Sequence, residues 1–192
     1  MRILVVEDEI RLAETLGELL RRDVEGSIFS VLYDPAAASA CHQAGVGARL
    51  RLPVGGHSEA IYGEPLDLEL EVLALWDGEF VCASPMYPGL TLRYGPSARV
   101  RCGRVELVLV SRRMQPYDDR PIRMTGGRME DYRLVALKSS NHFRAYFKDT
   151  ADAIITADTP GLFPADLKKR EYRKIRRPIF PLEEQTAYPQ EN

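Results

Sequence analysis

The sequence predicts an α+β fold with a mixed or mainly antiparallel sheet and a few helices. Short apolar, β-branched runs outnumber amphipathic helical stretches, and several follow one another across glycine-containing turns. Strand and helix alternate too irregularly for a doubly wound parallel sheet. With 192 residues, 45% hydrophobic and 28% charged, the chain has the composition of one ordinary globular domain with an appendage. A formal charge of -2 gives no general attraction to nucleic acid.

The first 22 residues, MRILVVEDEIRLAETLGELLRR, read as a strand (Ile3 to Val6), an acidic turn (Glu7 to Glu9) and an amphipathic helix carrying Ile10, Leu12, Leu16, Leu19 and Leu20. Residues 23–33, DVEGSIFSVLY, are expected to be a seam. Asp34-Pro35 then opens a helix as N-cap and first helical residue, and Gly45 and Gly47 close it. Strands are expected at Val46 to Val54, before the Gly55-Gly56 turn, and at Leu66 to Leu75. Asp77-Gly78 signals a hairpin from the latter to Phe80–Ala83. Ala98 to Arg101 and Val105 to Ser111 should pair through Cys102-Gly103-Arg104.

Beyond a polar loop, Gln115 to Gly127, the pattern predicts a strand at Arg133–Leu137, a helix from His142 to Ala153 and a buried strand from Ala153 to Ala157. The basic run KKREYRKIRR (Lys168 to Arg177) is expected as a solvated face or interdomain contact rather than a phosphate-backbone binder. Pro178 to Leu182 should form a strap packed across the domain, and 184–192 a disordered tail. The apolar start is far shorter than a secretory h-region, and no run approaches the roughly 20 apolar residues of a membrane span. A cytoplasmic protein without membrane contact is the expectation.

Chemistry concentrates in Lys138-Ser139-Ser140-Asn141-His142-Phe143-Arg144, where a strand gives way to a helix. Free backbone N–H groups at such a junction, with the charges of Lys138 and Arg144, suit a carboxylate or another anion. Lys138, Ser139, Ser140, His142 and Arg144 are the candidate substrate or anion contacts. Ser140 or Asn141 acting simply as an N-cap is the competing reading. Ser139 with His142 has no identifiable orienting acid, so no catalytic residue is assigned. Cys41, Cys82 and Cys102 are widely spaced without a CxxC pair, and His42, His57 and His142 stand 15 and 85 positions apart without HExxH. No metal ligands are assigned.

Two resemblances follow from particular motifs. The opening 22 residues look like the first strand and helix of a response-regulator receiver domain, with Glu7 and Asp8 at a magnesium site. The stretch where the phosphoacceptor Asp belongs reads GARLRLPVGG and holds no acid, so phosphorelay signalling is not expected and a solvated strand end is the simpler account. In the other, Asp34-Pro35 through AGVGA (Ala44 to Ala48) with Gly55-Gly56, then Asp77-Gly78, KSSNHFRAYF (Lys138 to Phe147), DTPG (Asp158 to Gly161) and RRPIFPL (Arg176 to Leu182), taken in order, resemble the C-terminal domain of the MlrC (microcystinase C-like) metallopeptidases over residues 34–183.

That resemblance implies a zinc-dependent hydrolase of peptides, including linearised microcystin, whose metal ligands belong to a separate N-terminal domain. The chain is then expected to be an accessory domain, inactive alone, with no cofactor of its own. Its expected partners are a metal-domain protein or a second copy of itself. A stand-alone module that binds a small anion or a peptide at Lys138–Arg144 is the alternative.

Overall fold

The computed structural model describes residues 3–7, 12–56, 64–139, 141–157, 167–169 and 171–183. Asp34 shows how a local signal becomes structure. Its side chain accepts the Ala37 N–H at 2.9 Å and caps the helix Pro35–Ala44 (α2), which ends at Gly45 with φ +85°. The first segment forms the expected strand and helix, Ile3–Glu7 (β1) and Leu12–Arg22 (α1). Within the expected seam lies Ser27–Tyr33 (β2), buried at six of its seven positions.

The remaining elements are Arg49–Val54 (β3), Leu66–Trp76 (β4), Glu79–Val81 (β5), Thr91–Arg93 (β6), Ser97–Cys102 (β7), Val105–Val110 (β8), Arg120–Arg123 (α3), Leu134–Lys138 (β9), Arg144–Phe147 (α4) and Ala153–Ala157 (β10). Eight strands build one mixed sheet in the order β10-β1-β9-β2-β8-β7-β4-β3. The run from β10 to β8 is parallel; β8, β7, β4 and β3 are antiparallel. This mixed α+β sheet is the architecture expected from the sequence.

The centre of the sheet is buried on both faces, which is why β2 reads as a largely apolar run rather than an alternating one. Leu16 of α1 and Ala37, Ala38 and Cys41 of α2 pack on one face, against Phe29, Leu107, Leu109 and Ala136. On the other, Ile28, Val108, Val135 and Leu137 meet Phe80, Leu92 and Tyr94 from the small β5–β6 ribbon, Ile122 of α3, and Phe143 and Phe147 at α4.

Several expectations need correction. The Asp77-Gly78 turn does not join β4 and β5 as a hairpin, because β5 pairs with β6 in a separate two-stranded sheet. Gly78, at φ +81°, passes so close to Gly95 that a Cβ would lie 1.9 Å from its carbonyl oxygen. Only glycine permits that crossing, after which Phe80 stacks on Tyr94 at 5.4 Å between ring centroids. The Gln115–Gly127 loop contains α3, and the helix expected from His142 to Ala153 is the single turn Arg144–Phe147. Asp149, Thr150 and Asp152 follow that turn and favour local hydrogen bonds over helix, as when the Thr150 hydroxyl donates to the Phe147 carbonyl at 3.2 Å.

The strand β10 is an exposed edge rather than a buried element, since it pairs only with β1 and Ile155 is half exposed. The expected strap is not packed down either: Phe180 is 67% exposed, and the segment closes locally through Glu183, which accepts the Ile179 N–H at 2.7 Å.

Asp34 does more than cap. Its carboxylate also accepts the Gly55 N–H at 2.9 Å, and its own N–H donates to the Val110 carbonyl at 2.9 Å. Asp34→Ala removes the cap and strands a second buried donor, for an expected loss of about 2–4 kcal/mol. Asp34→Asn, which retains an acceptor for Ala37, should lose about half as much. Urea unfolding midpoints at constant m-value check both.

Candidate functional site

Parallel strands place their carboxyl ends along one edge, and the loops that leave that edge are where open sheets bind ligands. Lys138 ends β9 there, in register with Glu7 at the end of β1. Ser139 follows, 1% exposed, with its hydroxyl lacking a hydrogen-bond partner among the described residues. The next residue, Ser140, lies outside the described residues, as do Asp8, Glu9, His57 and the DTPG segment. His142 is half-buried; its Nδ1 is enclosed and without a partner among the described residues, and its ring meets the Tyr117 ring edge-on at 5.7 Å. Arg144 is exposed, with its guanidinium 5.1 Å from the centre of the Phe143 ring.

The structure therefore brings Lys138, Ser139, His142 and Arg144 into one short segment beyond β9. That segment is fixed from beneath by Phe143 and Phe147, both essentially fully buried. Laterally, the Tyr146 hydroxyl donates to Asp119 Oδ1 at 2.9 Å, and Arg123 Nε donates to Asp119 Oδ2 at 2.5 Å. α4 is a single turn capped by Phe143 without a side-chain cap bond, so the strength of a long helix N-terminus is not available here. Any anion contact has to come from the side chains and the loop backbone.

The neighbouring strand carries features that sequence reasoning did not signal. Val31 in β2 adopts φ +68°, at an irregularity in the β2–β8 pairing between Phe29 and Leu32. A β-branched residue in the left-handed region is costly, and such conformations gather at functional sites. Beside it the Ser30 hydroxyl is buried without a partner among the described residues, and Ser30 sits in register with Leu137, two residues before Ser139. At the end of β2, Tyr33 lies under the Arg113 guanidinium at 4.8 Å.

Among the described residues, no group of three or more His, Cys, Asp and Glu side chains is gathered for a metal ion. His42 rides on α2, with Nε2 3.0 Å from the Ser97 carbonyl, and α2 covers the opposite face of the sheet from α4. A cavity of about 420 Å³ is lined by Arg49, Arg51, Glu69, Glu71 and Arg101 on the antiparallel half, away from β9. Its charges face each other across the strands, Arg49 opposite Glu71 and Arg51 opposite Glu69, and Arg101 donates to Glu71 at 2.8 Å.

A family model described as MlrC C-terminus matches residues 11–174. The chain belongs to that family. The matched range takes in α1 and β2 as well as the residues from Asp34 onward. The chain is 28% identical over 168 residues to Microcystinase C from Sphingomonas sp., an alignment covering 86% of this chain and 31% of that protein. A crystal structure from Mesorhizobium sp. BNC1, of a protein provisionally named a metallopeptidase, shares the fold with a TM-score of 0.74 at 23% identity. It covers 97% of this chain, which spans 39% of its length. The MlrC C-terminal domain thus corresponds to well under half of either relative.

The Tyr146–Asp119 bond predicts how the segment is held. Burial foremost, then the bond to Asp119, pushes the Tyr146 phenol up to about 12 from 10.0. A raised folded-state value means the contribution is complete below pH 10 and is lost as pH rises through about 12. Tyr146→Phe should lower stability by about 1 kcal/mol at pH 7 and remove part of the alkaline decline, both read from urea midpoints between pH 7 and 11.

Proposed function

We propose that this MlrC C-terminal domain is the accessory part of a zinc peptidase, supplying substrate contacts from Lys138–Arg144 to a metal site carried by another domain. The observation that carries the reading is the family match together with the position of that segment at the carboxyl edge of the parallel strands. In this reading the metal would be held by residues of another domain, in the same or another polypeptide, and would supply Lewis-acid chemistry there. This chain's residues hold the peptide: the Lys138 and Arg144 cations attract its carboxylates, and the Ser139 hydroxyl and His142 ring nitrogen offer polar contacts.

The partner is a metal-binding domain, with a second copy of the chain as the other candidate for covering the exposed edge. No helix among the described residues is long and apolar enough to cross a membrane.

The test is elemental analysis of the purified chain after zinc loading and removal of excess, run beside a peptide-hydrolysis assay. Less than 0.1 zinc per chain, on the order expected without a three-ligand site, and no turnover are the expected results. Replacing the C-terminal third of Microcystinase C with this chain should then yield a zinc-containing peptidase whose kcat/KM falls about 10-fold or more on Lys138→Ala or His142→Ala. Stoichiometric zinc with hydrolysis by the chain alone would overturn the reading.

The buried Ser139 hydroxyl and His142 Nδ1, without hydrogen-bond partners among the described residues, favour a second reading, a domain that captures a small anion or peptide on its own. A rise in thermal midpoint with acetate or phosphate, absent in the Lys138→Ala/Arg144→Ala double variant, is the outcome it requires.

A further inference from the structure

The loop between β5 and β6 is tightly bonded yet turns apolar side chains outward. Cys82 N–H donates to the Leu90 carbonyl at 2.8 Å, Gly89 N–H returns to the Cys82 carbonyl at 3.2 Å, and Tyr87 N–H donates to the Ser84 carbonyl at 3.1 Å. At its base, Ala83 N–H donates to the buried Asp118 carboxylate at 2.7 Å. A loop held this firmly cannot turn its apolar groups inward, and Met86 and Tyr87 remain 42% and 39% exposed.

The Tyr87 side chain connects to the segment beyond β9 through Tyr117. The Tyr87 ring packs edge-on against Tyr117 at 5.1 Å, and Tyr117 packs edge-on against His142 at 5.7 Å. Asp118, which anchors the base of the loop, is the residue after Tyr117, so one carboxylate sets both sides of the aromatic row. The row runs from solvent at Tyr87 to half-buried Tyr117 and His142, and the cation of Arg144 lies two residues beyond. An aromatic row that ends at His142, in the segment that also carries the Lys138 and Arg144 cations, fits a particular ligand chemistry: a bulky apolar side chain on a ligand that also bears a carboxylate.

We propose that Met86, Tyr87 and Tyr117 form a specificity wall that receives a bulky apolar side chain of a peptide whose carboxylate is held by the Lys138–Arg144 segment. The proposal rests on the reading of that segment as a substrate contact. Rigid aromatic side chains are suited to the task because little conformational freedom is lost on binding. Tyr87 is the selective element, being exposed and free of any hydrogen-bonded role for its side chain among the described residues.

The experiment titrates the intact chain with acetyl-Gly-Phe and acetyl-Gly-Gly, reading affinity by calorimetry and occupancy by the NMR shift of the His142 ring protons. The wall predicts that the Phe-ended peptide binds about 10-fold more tightly or better, the scale of a well-packed apolar group. Tyr87→Ala should reduce that preference to about 3-fold or less and leave the Gly-ended peptide's affinity unchanged. Equal affinities for the two peptides, with His142 shifted by both, would overturn the wall while the substrate-contact reading stands. A Phe preference that survives Tyr87→Ala would also overturn it. Failure of either peptide to shift His142 would sink both readings. A concentration-dependent dimer abolished by Tyr87→Ala, with no peptide preference, would mean that a second copy covers the patch.

Discussion

The buried Asp34 carboxylate is the point through which the two halves of the sheet are held together. It stands where β2, the central parallel strand, passes into α2, and it reaches the Gly55 turn at the end of β3, the far antiparallel edge. Its backbone N–H fastens the same point to the end of β8. A carboxylate with no exposed surface is tolerable only when its oxygens are engaged, and each accepts a backbone N–H. The charge is felt nearby: burial first, and the Asp34 carboxylate second, push the Cys41 thiol up to about 11 and hold it as an inert apolar filler of α2.

From that joint the two halves diverge in character. The antiparallel half is a scaffold whose exposed charges pair across strands, Arg51 with Asp67 and Arg101 with Glu71, contacts that steer register more than they stabilise. A partly buried network, in which Glu106 accepts from Arg99 and from Tyr132 at 2.7 and 2.6 Å, ties β7 and β8 to the chain before β9. The parallel half carries the left-handed Val31 and, without hydrogen-bond partners among the described residues, the Ser30 and Ser139 hydroxyls and His142 Nδ1. Strain and unsatisfied polar groups are expensive, and these four lie on β2 or in the segment from the end of β9 into α4.

Near β9 the polar groups of the parallel half are cations, hydroxyls and one imidazole. Among the described residues they are not joined by the carboxylates and paired imidazoles that a catalytic metal requires. Packing the segment on Phe143 and Phe147 and fastening it through Tyr146 to Asp119 fixes its geometry.

Wherever the determining interaction is short in sequence, the chain by itself determined the structure. Asp34-Pro35 and Gly45 specified α2, Cys102-Gly103-Arg104 specified the β7–β8 hairpin, the apolar runs specified β1 and β9, and leucines alternating with charged residues specified β3 and β4. The set Lys138–Arg144 stands out in the sequence because its residue types are adjacent, whereas its place at the end of β9 came from the fold. Only the tertiary structure decided that β5 leaves β4 for β6, since that follows from Phe80 burying against Tyr94 and Gly78 crossing Gly95. It alone decided that β10 is an edge, that the helix after His142 is one turn, and that β2 is central. The left-handed Val31 gave no local sign, because a valine between apolar residues reads as ordinary strand. Tyr87, Tyr117 and His142 are likewise far apart in the chain and meet only in the fold. Capping and turn preferences act within a few residues and so are written in sequence, whereas burial and ring contacts depend on which distant segments the folded chain has made neighbours.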